Sequence, residues 1–147
     1  MTFSRSNTLR ITALVLRIVL GAVFVYAAWL KLHDPWQMFA MSIDSYQLLP
    51  MWAVRMVART LPWVELLLGI VLMTGFWLRI SATAVALMLL VFFSLIVRAW
   101  AKGMEISCGC FGPGEAISWK TMLRDGSLLA AALFVAAVSL VRRRKPA

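Results

Sequence analysis

Apolar residues arrive along this chain in four long runs, near 11–31, 61–78, 80–100 and 121–141, each interrupted by few charges and bounded by basic or aromatic residues. A bilayer core about 30 Å thick is crossed by roughly 20 apolar residues in a helix, so each run predicts one membrane span. Asp34-Pro35 stops the first. Between the first two runs, residues 32–60 alternate Trp36, Phe39, Ile43 and Tyr46 with polar positions before Leu48-Leu49-Pro50, which predicts short helices lying in the membrane interface. Arg55 and Arg59 stand one helical turn apart there and mark a polar face. The link around Trp77-Leu78-Arg79 is short and makes the second and third spans an antiparallel hairpin. A second loop, 101–120, ends at Ser118, a suitable N-cap for the fourth helix. The predicted fold is all-α: an integral membrane four-helix bundle forming a single domain over 1–147.

Composition agrees with the pattern. The chain has 147 residues, of which 63% are hydrophobic and 14% charged, against about 25% charged in soluble proteins; mean hydropathy is +0.87. A formal charge of +9 would suit nucleic acid, but the basic residues sit at the ends of apolar runs and make no basic face, which argues against that partner. The first run is longer than the 7–15 residues or so of a signal-peptide core, and Arg17 interrupts it, so a retained span is expected.

Basic residues at both termini (Arg5, Arg10; Arg142, Arg143, Arg144, Lys145) suggest an N-in, C-in arrangement in a bacterial inner membrane. A count of Lys and Arg by side ties at seven each, and only their density on the inner side breaks the tie. Trp29, Trp36, Trp52, Trp63, Trp100 and Trp119 then fall near the outer interface, with Trp77 alone near the inner one. Both long loops become extracytoplasmic. That side of a bacterial membrane permits disulfides, which the cytosol does not.

Chemistry concentrates at Glu-Ile-Ser-Cys-Gly-Cys-Phe-Gly-Pro-Gly, residues 105–114, which holds both cysteines. A disulfide needs Cα atoms about 4.4–6.8 Å apart, which Cys108 and Cys110 can reach if Gly109 lets the chain turn. Such a tight bond is labile and suited to thiol exchange. Gly112, Pro113 and Gly114 are expected to form a sharp exposed turn behind it, with Phe111 packing the turn onto the bundle and Lys102 favouring the thiolate. The bland alternative is two small buried residues that happen to be close.

Glu65 lies one turn into the second span, where a carboxylate must face the bundle and find a partner; Lys31 matches it in depth. The pair would be a structural tie between helices or a proton relay beneath the loop. His33, the one histidine, could accept a proton or join the thiols around copper, or could simply be hydrated. Arg17 would snorkel to headgroups, and the nine methionines read as packing. No zinc-type Cys/His spacing or phosphate-binding glycine loop occurs.

Lys31-Leu32 with Asp34-Pro35, Leu49-Pro50 after Tyr46, Leu61-Pro62 with Glu65 and Gly69, and Cys-Gly-Cys-Phe-Gly together resemble the MauE family of methylamine-utilisation membrane proteins, within the wider DoxX-like group. The resemblance covers nearly the whole chain. It implies a four-helix protein acting with a periplasmic thioredoxin-like partner in forming disulfides of methylamine dehydrogenase, or in otherwise maturing a periplasmic protein. Cys108 and Cys110 would be the reacting pair, with Gly109, Phe111, Gly112, Lys31, His33 and Glu65 in support and no metal required. Quinone in the bilayer is the electron sink suggested by other four-helix disulfide-generating membrane proteins. A non-catalytic scaffold for the partner and a copper site from Cys108, Cys110 and His33 are the competing readings.

Overall fold

The computed structural model describes residues 2–141; the terminal basic cluster from Arg142 to Lys145 lies outside them. Five helices and one small hairpin follow in order: α1 (Thr2–His33), α2 (Trp36–Asp44), α3 (Met51–Thr74), α4 (Leu78–Ala101), β1 (Ser107–Gly109), β2 (Gly112–Ala116) and α5 (Trp119–Val141). Four helices, α1, α3, α4 and α5, are long and apolar enough to cross a membrane.

The breaks have local causes. Pro35 cannot continue α1 and instead stands as N-cap of α2, with its fixed φ of −56°. α3 stops at Gly75, whose φ of 79° is left-handed and whose N–H closes on the Val71 carbonyl. Ser118 Oγ accepts from the Thr121 N–H at 3.5 Å, an N-terminal cap for α5.

Two expectations change. The second span does not begin at residue 61. Val54, Ala58, Pro62, Glu65, Gly69 and Leu72 are all buried, forming one stripe at helical spacing down a single α3, so Arg55 and Arg59 are exposed positions on that helix and not on a separate interfacial piece. Of the 32–60 connection only α2 is a separate helix, tied to α3 by the Arg59 guanidinium 4.3 Å above the Trp36 ring. The second change is in the cysteine loop, which is an antiparallel hairpin in place of a sharp turn at Gly112, Pro113 and Gly114.

α1 packs chiefly on α3, and α4 on α5. The first pair meets backbone to backbone: a Cβ on Gly21 would lie 2.8 Å from the Gly69 carbonyl oxygen, and one on Gly69 2.8 Å from that of Gly21. Without a hydrophobic drive between helices in lipid, such close approach supplies dispersion contact instead. Leu20, Phe24, Leu72, Val85 and Val135 fill the shared core. Although theirs is the shortest link between two spans, α3 and α4 touch much less, and their separation opens a cleft under α2.

Candidate functional site

Strand pairing sets the geometry of the cysteines. Gly109 pairs with Gly112, which leaves Cys110 and Phe111 as the two residues of the turn. The sharp turn is therefore at Cys110-Phe111, and Gly112, Pro113 and Gly114 belong to β2 instead of forming the turn expected of them. Gly109 has φ 72°, and a Cβ there would stand 3.2 Å from Ser42 Cβ on α2. A side chain at 109 would be strained in the backbone and would press the hairpin off α2.

Both cysteines are free thiols, Cys108 buried and Cys110 half-buried. Their sulfurs converge on a group missing from the sequence-based candidates. Asp125, buried in the second turn of α5, puts Oδ2 3.9 Å from Cys108 Sγ and 3.8 Å from Cys110 Sγ. The two sulfurs and this oxygen all lie within 4.8 Å of one another. Asp125 Oδ1 accepts from Arg124 Nε at 3.2 Å, and Arg124 Nη1 reaches Glu115 on β2 at 2.6 Å. Hairpin and α5 are thus clasped by one arginine. An acid inside an apolar span was the signal that marked Glu65, and it applies equally to Asp125.

The two thiols are not equivalent. The Cys110 thiol and backbone N–H face the Cys108 sulfur, which holds the Cys108 thiol below its ordinary range despite burial. That same hydrogen bond, with burial and the negative charge of Asp125, pushes the Cys110 thiol far up. Tyr46 donates its hydroxyl to the Cys108 carbonyl at 3.1 Å, and burial raises the phenol, so it stays a donor. The cations acting on the thiols are Arg124 and Lys31, while Lys102 is exposed in the turn that ends α4.

Phe111 lies half-buried, 6.4 Å from the Tyr26 ring on α1, with the Arg124 guanidinium 4.3 Å above it. Beneath the hairpin, Lys31 Nζ donates to both Glu65 oxygens at 2.7 and 2.8 Å, with both side chains buried. A void of about 40 Å3 touches Glu65, Cys110, Phe111 and Asp125, room for a water molecule between ion pair and thiols. His33 is outside this group: its exposed ring stacks on Trp29 at 5.2 Å, and among the described residues the set able to surround a cation is Cys108, Cys110 and Asp125. Those donors, two thiols and one carboxylate, differ from the Cys/Cys/His set considered for copper. Along the other side of the hairpin, the cleft between α2, α3 and α4 encloses about 550 Å3; Cys108, Gly109 and Tyr46 stand at one part of its wall, Val57, Leu61, Leu87 and Val91 at others.

Residues 9–138 match the family model described as methylamine utilisation protein MauE. The methylamine utilization protein MauE of Paracoccus denitrificans is 36% identical over 124 residues, which is 82% of this chain and 66% of that relative, so the chain spans just under two thirds of its length. No solved structure matches. With the family model matching 9–138, most of the chain, the chain belongs to the MauE family of methylamine-utilisation proteins.

Proposed function

We propose that this protein is a membrane thiol–disulfide oxidoreductase that oxidises a thioredoxin-like partner, which in turn forms disulfides in methylamine dehydrogenase or a related extracytoplasmic protein. The observation that carries the reading is the convergence of two thiols of unequal acidity on one buried carboxylate. A stabilised thiolate in the reduced form makes the corresponding disulfide more oxidising, and a low-pKa thiol leaves faster.

A partner thiolate attacks Sγ of Cys110, the residue of the two with more exposed surface, forming a mixed disulfide and expelling Cys108 as thiolate. The partner's second thiolate attacks its own bridged sulfur, which completes the partner disulfide and releases Cys110. Cys110 takes up a proton, as its raised pKa favours. Reoxidation removes two electrons and two protons from the dithiol. A lipid-soluble quinone accepts both, becoming the quinol, and the cleft that reaches Cys108 from between α3 and α4 suits such an acceptor. Asp125 is positioned to receive the thiol proton on the way.

Single serine variants test this. Cys108→Ser removes the leaving and resolving thiol and should accumulate a reductant-sensitive adduct through Cys110, whereas Cys110→Ser should capture no partner. Either change should abolish maturation of the downstream substrate. Normal maturation with both cysteines replaced sinks the redox reading in favour of a scaffold, and a stoichiometric metal ion in anaerobically purified protein would favour a metal site instead.

A further inference from the structure

At the end of the bundle away from the cysteines the charges do not balance. All six acidic residues belong elsewhere: Asp34 precedes α2 and Asp44 ends it, Glu105 and Glu115 lie on either side of the cysteines, and Glu65 and Asp125 are bonded to Lys31 and Arg124. Among the described residues, Arg10, Arg17 and Arg79 form no ion pair with an acidic side chain.

Arg17 is the acute case. Its Nε is buried and has no hydrogen-bond partner among the described residues. Its guanidinium lies over Gly75 at the end of α3, where a Cβ would stand 3.0 Å from Nη1. The helix end contributes only about half a negative charge. A buried guanidinium nitrogen left without an acceptor is costly and calls for one beyond the described residues.

There is room for it. A groove of about 350 Å3 runs between α1 and α5, with Arg10 and Arg17 on one wall and apolar Leu14, Val135 and Val138 beside them. Ser139 also lines it, but its hydroxyl already donates to the Ala136 carbonyl at 2.7 Å, so the arginines must do the binding. Two cations beside an apolar channel in a membrane-spanning bundle match an anion that carries acyl chains.

We propose that the α1–α5 groove binds one anionic glycerophospholipid, its phosphodiester between Arg10 and Arg17 and an acyl chain along Leu14 and Val135. An isolated phosphate would satisfy the arginines but leave the apolar wall uncovered. The site is independent of the thiol chemistry at the other end.

The test uses the full chain purified and delipidated in neutral detergent. Dioleoylphosphatidylglycerol should raise its melting temperature saturably, and native mass spectrometry should show one lipid retained. Arg17→Gln should weaken the apparent affinity by about tenfold or more, the loss expected for a charge-assisted hydrogen bond. Arg10→Gln, at an exposed helix position that folding tolerates, should weaken it in the same direction and carries the test if Arg17→Gln does not fold. Arg79→Gln, outside the groove, should bind as the unaltered chain does. The proposal is overturned if phosphatidylglycerol gives no saturable shift. It is equally overturned if dioleoylphosphatidylcholine or inorganic phosphate reproduces the shift, or if the Arg10 and Arg17 variants respond as the unaltered chain does.

Discussion

A single carboxylate oxygen faces both sulfurs, and its charge opposes thiolate formation at either. Asp125→Asn removes that charge while keeping the shape. The sign is then fixed: the thiolate becomes easier to form, so the pH profile of alkylation by iodoacetamide should move to lower pH. If the carboxylate also takes the thiol proton during reoxidation, turnover should fall by about a hundredfold, as for loss of a general base, even though ionisation is easier. An alkylation profile that moves up or stays put would show that Asp125 does not face the thiols. The cysteines themselves were legible in the sequence because no other thiol competes for them. Asp125 carried the same signal as Glu65, an acid in an apolar run, but beside Arg124 near a helix start it also reads as an ordinary hydrated pair. Only the hairpin folding over α5 makes it buried. Similarly, His33 is close to Lys31 in sequence, yet its ring turns to Trp29 and away from the ion pair.

Among the elements, the α1–α3 contact holds the hairpin's foundation. The Lys31–Glu65 pair could be read from depth alone, since an apolar run that carries one charge needs another at the same level, and the structure joins them at 2.7 Å. Removing one partner of a desolvated pair costs about 3–5 kcal/mol, whereas replacing both by apolar or neutral groups costs little. Glu65→Gln and Lys31→Met should each lower the melting temperature in detergent markedly, and the double variant should recover most of the loss. Equal melting for all four proteins would mean the pair is not desolvated. The N-terminal extension of α3 through Pro62 was less legible. Proline reads locally as a boundary, yet the buried stripe continues across it because packing against α1 and α2 outweighs one missing hydrogen bond. The hairpin was hidden for a different reason: its glycines and proline carry no alternating pattern, and its pairing is anchored by contacts to α2 and α5 distant in sequence.

For the whole molecule, the four spans were legible because lipid leaves helices as the simplest way to satisfy backbone groups. Which end faces which compartment is a separate matter. A membrane-impermeant maleimide added to intact spheroplasts after mild reduction should label Cys108 or Cys110, and labelling only after lysis would reverse the orientation. The uneven charge described above then acquires an electrical meaning. Arg5, Arg10, Arg17 and Arg79 have no acid to offset them at their end, and four more bases follow Val141 in the sequence. With the cysteines outward, these bases stand on the negative side of an energised membrane. Inverting the protein would carry them uphill by about 2.3 kcal/mol per charge for each 100 mV. If the maleimide labels intact spheroplasts, the membrane voltage itself would help hold the protein in that orientation.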